Sequence, residues 1–164
     1  MRPMETEQLI LAVINLIGGA AVVGSYIHGI RSHPETRGQA WGGVPLGLKP
    51  AYTVSMLTAA AGYLAFMYFA FFEVEPDEME SLCGGGFWML YPICAGILIP
   101  SALWMPLTYE MIARPTTTKW VIIRLVLGLV GVSALVLLAS LIALDPREPA
   151  VAYWAAVIGV VFFC

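Results

Sequence analysis

The sequence predicts an all-α membrane protein: a bundle of five transmembrane helices, the third kinked by prolines. Three observations carry this. Of the 164 residues 60% are hydrophobic and 12% charged, about half the roughly 25% charged content of an ordinary soluble domain. Mean hydropathy is +0.83. The apolar residues also gather into five charge-poor runs, 9–30, 52–72, 87–109, 121–144 and 150–164, where a span needs about 20 residues. The runs fill most of the chain, leaving one helical domain with any function placed between helices or in short connections.

The first run follows MRPMETEQ, which carries Glu5 and Glu7, and it is too long for the apolar core of a cleaved signal peptide. Within it Ala21, Ser25 and Gly29 recur every four residues, as do Ala20 and Gly24. Small residues at that spacing let helices approach closely in lipid. Asn15 is expected to bond a neighbouring helix, because an unpaired amide in hydrocarbon is costly.

The connection RSHPETRGQAWGGVPLGLKP, 31–50, is long for so small a bundle. Trp41, beside Gly42 and Gly43, suits either an ordered lid lying at the interface or a simple interfacial anchor.

The second run pairs Ser55 with Ala59 and Thr58 with Gly62, then ends in Phe66, Tyr68, Phe69, Phe71 and Phe72. One end is shaped for close packing and the other for bulk. Next comes EVEPDEME, which puts Glu73, Glu75, Asp77, Glu78 and Glu80 into eight residues. Its spacing does not match a calcium loop and no glycine stands at the turning position, so a solvated acidic connection is expected.

The third run, FWMLYPICAGILIPSALWMPLTY, holds Pro92, Pro100 and Pro106. An interior proline removes a helical hydrogen bond and clashes with the carbonyl four residues back. Pro100 stands against Gly96, and the pair is the expected hinge or cavity wall. The freed carbonyls require neighbouring helices, so this helix is expected at the centre. Ser101, Trp104 and Thr108 recur at steps of three and four and share a face.

The fourth run is smooth, with Gly128, Gly131 and Ser133 as its small residues. Arg124, about one turn inside it, either snorkels to the interface or pairs with Glu110 at the end of the third helix. The fifth run has 15 residues and rises only about 22 Å. It implies either further residues after Cys164 or a short, tilted or half-inserted helix.

Arg31, Arg37, Lys49, Arg114 and Lys119, with Arg124 nearby, lie in or beside the first and third connections, whereas the N-terminus and the other connections hold Arg2 and Arg147. The bias of basic residues toward the cytoplasm then puts the N-terminus and the acidic connection outside and the C-terminus inside. The net charge of −3 implies no nucleic-acid partner.

The chemistry available is soft. His28 and His33 sit together at one end of the first helix, poorly placed to hold a haem from facing helices. Neither belongs to a metal-ligand spacing. Cys83, Cys94 and Cys164 are scattered, with no CxxC, and Cys94 is expected as a small buried apolar residue. No acidic residue falls in the middle of a run, which argues against proton-coupled transport. There is no GxSxG and no HExxH, so the protein is expected to be non-catalytic. The remaining constellation is Trp88, Tyr91, Ser101, Trp104 and Thr108, with Tyr63 and Tyr26 from neighbouring helices and Trp41 from the first connection. Such a set suits an apolar pocket with a few polar fixing points, although Trp88 and Trp104 also suit an aromatic belt.

The order and length of the runs, together with GxxxxGSYIHG (19–29), KPAY (49–52), AAGYLAF (60–66) and the Trp104–Pro106 pair, resemble the translocator protein, or tryptophan-rich sensory protein, family. Of that family's tryptophan motifs, Trp41 and Trp104 with Pro106 are the matching residues here. The resemblance implies a cavity for a porphyrin- or sterol-like molecule closed by the first connection, and often a homodimer. Two functions follow as expectations. The first is binding of a lipophilic ligand (porphyrin, sterol or lipid) within the bundle; the second is service as an accessory subunit of a larger membrane complex.

Overall fold

The computed structural model describes residues 5–39, 44–79, 85–144 and 150–163. Among them are five helices and no strand: α1 (Thr6–Ser32), α2 (Lys49–Phe72), α3 (Leu90–Ala113), α4 (Thr117–Ile142) and α5 (Ala150–Phe163). The first four are long and apolar enough to cross a membrane. The fifth is more apolar still but has 14 residues. Short 3₁₀ turns precede α2 and α3 at Leu46–Leu48 and Phe87–Met89. Trp41 lies outside the described residues.

Local chemistry fixes the helix ends. The Thr116 hydroxyl accepts the Lys119 backbone N–H at 3.3 Å and caps α4. The Gln8 side chain accepts the Glu5 N–H at 3.2 Å at the start of α1. Pro92 falls in the first turn of α3, where a backbone N–H has no helical partner to lose. Pro100 and Pro106 lie inside α3, which continues through both to Ala113.

Helix α3 packs between α1 and α4; α2 packs against α5, and α5 also touches α4. Contacts between chain-distant residues show that α1, α2 and α3 alternate in direction. Gln8 near the start of α1 donates to the carbonyls of Phe71 and Val74 beyond the end of α2, at 3.1 and 3.3 Å. The Tyr91 hydroxyl at the start of α3 donates to the Glu7 carbonyl at 3.1 Å. At the opposite end the His33 ring stacks on Tyr109, centroids 4.4 Å apart.

Burial is uneven along the bundle. The core gathers Leu11, Phe66, Phe69, Leu90, Ile97, Leu137, Leu141 and Tyr153 toward the end that carries Glu5, Glu7 and Asp77. In α2 the buried residues run from Gly62 onward, whereas every residue from Ala51 to Leu57 is exposed. In α4 they begin at Ser133. At the other end the α1–α3 contact stays closed through Gly29, whose missing side chain leaves room for Met105 and Tyr109.

The tightest approach joins α2 to α5. A β-carbon on Gly62 would strike the Gly159 backbone, and one on Gly159 would come within 2.7 Å of Gly62. Lipid tails are as apolar as the helices, so association in a bilayer depends on such close backbone packing. Gly62→Ala is therefore expected to destabilise the protein by about 1–3 kcal/mol or more through overpacking. Gly24→Ala, at a glycine with open space around it, is expected to leave stability unchanged or slightly raised, since alanine favours the helix. Thermal unfolding of both variants in one detergent checks the pair; equal melting temperatures would exclude the close approach.

Candidate functional site

Three places could do chemistry or bind: a polar junction inside the bundle, the two charged ends, and a groove on α2.

The junction joins α1, α2 and α3. Tyr63 donates to Asn15 Oδ1 at 2.5 Å, and the amide Nδ2 of Asn15 donates to the Leu11 carbonyl at 2.8 Å. The Cys94 thiol, wholly buried, is in hydrogen-bonding contact with both Tyr63 and Asn15. Asn15 thus bonds a neighbouring helix as expected, and Cys94 is buried as expected but among polar groups. The sequence signal for this was the amide at Asn15; its partner Cys94 was masked by the usual behaviour of a small buried thiol. Each group takes its neighbour, so the junction ties three helices together.

The residues expected to line a pocket are spread along α3. Trp88 is exposed, just before α3 begins, and Tyr91 is engaged with Glu7 at the same end. Ser101 donates to the Ile97 carbonyl of its own helix at 2.6 Å. Trp104 lies beside Tyr26 of α1, ring centroids 5.8 Å apart. Thr108 carries a buried hydroxyl without a hydrogen-bond partner among the described residues. From Trp88 to Thr108 the rise is about 30 Å, so one small ligand cannot touch both. The Gly96–Pro100 turn is filled by a neighbour. A β-carbon on Gly96 would come within 2.5 Å of the Ser133 hydroxyl of α4, and Pro100 is buried.

The Glu110–Arg124 pair allowed by the sequence is replaced. Glu110 binds Lys119 at 3.2 Å. The same ammonium reaches the carbonyls of Glu110 and Arg114 at 3.4 Å, where α3 ends, satisfying carbonyls that a helix C-terminus leaves open. Arg124 instead lies over its own helix neighbour Trp120, 3.8 Å from the ring centroid. Lys119 is in the first turn of α4 and faces the end of α3; Arg124 is more than a turn deeper.

The ends differ in charge. Glu5, Glu7, Glu73, Glu75 and Asp77 stand at one end, where carboxylate oxygens of Glu5, Glu7 and Asp77 lie within 4.8 Å of one another. Glu5 and Asp77 are exposed, which leaves these charges solvated. Arg31, Lys49, Arg114 and Lys119 stand at the other end, with Glu35 and Glu110 as acids among them.

The groove, of about 510 Å³, opens along the first half of α2 and is lined by Pro50, Ala51, Val54, Ser55 and Thr58. Sequence reasoning noticed Ser55 and Thr58 only as packing residues. Ala51, Ser55, Thr58 and Gly62 follow at steps of four, three and four, so they form one stripe. Its Gly62 end is occupied by α5, and Phe69 farther along meets Tyr153 edge-on, centroids 6.0 Å apart. The Ala51 and Ser55 end is exposed. The Thr58 hydroxyl donates to the Val54 carbonyl at 2.9 Å, so it turns its polarity back to the helix and leaves its methyl for contacts.

Compared with protein-family models, curated proteins and solved structures, the chain matches none.

The polar junction makes its own test. Tyr63→Phe removes the donor to Asn15 and is expected to cost about 0.5–2 kcal/mol, the range for interhelical hydrogen bonds in membranes. A double-mutant cycle with Asn15→Ala, read by unfolding in mixed detergent, should give a coupling of comparable size; purely additive losses would mean that the bond adds nothing.

Proposed function

We propose that this chain is a non-catalytic, multi-pass membrane protein that holds a lipophilic molecule against its bundle, and that the seat is the groove on α2. The groove is the observation that carries the reading. Its volume falls within the roughly 300–1,000 Å³ of small-molecule sites, and its lining is apolar apart from two hydroxyls. Porphyrin, sterol and lipid all remain within this class. In the same reading the N-terminus lies outside and the basic end faces the cytoplasm, and Pro100 bends α3 and sets the spread of the helices around it.

A second reading, an accessory subunit or homodimer in a larger membrane assembly, is favoured by the uncovered glycines. Gly19 and Gly24 on α1 and Gly128 and Gly131 on α4 have nothing within 4 Å of an added β-carbon, and uncovered small residues are the usual contact surface between helices in lipid.

Titration of the purified protein with a porphyrin, a sterol and a fluorescent acyl lipid separates the two. Binding of at least one, weakened about tenfold or more by Thr58→Phe, is expected if the groove is the seat, because the bulky ring fills it. Trp104→Ala is expected to change binding by less than about twofold while lowering stability by about 0.5–1.5 kcal/mol through the lost ring pair with Tyr26. Binding equal in the wild type and Thr58→Phe would overturn the groove; constant co-migration with unrelated subunits on gentle extraction would favour the second reading.

A further inference from the structure

The lipophile proposed above can be narrowed by charge and position. The groove begins at Pro50, next to Lys49, and runs to Thr58, a rise of about 12 Å along the helix. It therefore starts at the basic end of the bundle and descends into the hydrocarbon layer. We propose that its occupant is an anionic phospholipid, with one acyl chain lying along Ala51, Val54, Ser55 and Thr58 and the headgroup phosphate held at Lys49. This rests on the groove being a lipophile seat and adds the headgroup.

Three observations favour this occupant over a ring system. The groove is open on one side and, among the described residues, lined by a single helix, a shape that follows an extended chain more closely than a flat ring. Thr58 spends its hydroxyl on the Val54 carbonyl, which leaves methyl groups as its surface for methylenes to cover. The charge pattern then selects the headgroup. Arg31, Lys49, Arg114 and Lys119 share this end, whereas the far end gathers Glu5, Glu7, Glu73, Glu75 and Asp77. An anionic lipid is attracted at the groove mouth and repelled at the opposite face.

The test uses the full chain in nanodiscs of equal parts phosphatidylglycerol and phosphatidylcholine, with lipids retained on the protein identified by native mass spectrometry. The variants are Lys49→Gln and Thr58→Phe, each first shown to unfold at the wild-type temperature. Wild type should retain phosphatidylglycerol over phosphatidylcholine by about fivefold, the preference one basic residue near the membrane surface provides. Lys49→Gln should bring the two lipids to near parity, and Thr58→Phe should lower total retention severalfold. If Thr58→Phe lowers retention but the wild type shows no headgroup preference, or Lys49→Gln leaves it intact, the phospholipid assignment fails while the groove stands as a lipophile seat. If wild type and Thr58→Phe retain the same lipids, or the protein runs as a dimer that carries no lipid, both fail.

Discussion

A hydrocarbon layer offers no water to satisfy a backbone group and no hydrophobic gain for pressing one apolar helix on another. Every join in this bundle answers that constraint. The backbones of α2 and α5 meet where Gly62 and Gly159 have no side chains. Tyr63 and Cys94 take up the Asn15 side chain, and Gln8 takes up carbonyls at the end of α2. These are short-range devices that act only where helices already touch, so the bundle is well joined where they occur and loosely joined elsewhere.

Their distribution explains the uneven core. Gln8, Tyr91, Asn15, Tyr63, Cys94 and the Gly62–Gly159 approach lie from the acidic end to the middle, and the buried aromatic residues of α2 lie with them. Toward the basic end α1 and α3 remain zipped by Gly29 against Met105 and Tyr109, and α3 is tied to α4 through Glu110 and Lys119. The first half of α2 takes part in neither contact. Its exposed stretch from Ala51 to Leu57 is a result of where the joining residues are placed, and the groove is a consequence of that placement.

Much of the architecture was legible because its causes are local. Hydropathy marked the helices, and α3 was expected at the centre because its prolines free carbonyls that lipid cannot satisfy; it packs between α1 and α4. The site was less legible because it depends on which helix meets which. The four-residue spacing of Ser55 and Ala59 and of Thr58 and Gly62 announced a packing face, but not that α5 would cover only the Gly62 end. The periodicity of Ser101, Trp104 and Thr108 named a face and Tyr26 was grouped with it, and Tyr26 of α1 does lie beside Trp104, whereas Tyr63 is turned to Asn15. Glu110 and Arg124 were a plausible pair by charge alone; the first-turn position of Lys119 decided the matter, since it also meets the open carbonyls at the end of α3.

The separation of charge gives this uneven packing its direction. Solvated carboxylates crowd the end where the helices are tightly joined, so mutual repulsion there is borne by the close contacts beneath. The basic end has fewer contacts to lose, and its charge is of the sign that attracts lipid phosphates. The exposed stretch from Ala51 to Leu57, with small residues, a lysine at its head and, just beyond it, a threonine bonded to its own helix, offers the surroundings a surface unlike that of the joined half. If the groove seats a lipid as proposed, membrane composition acts on the protein through the open half of α2, a surface that the joined half holds in place.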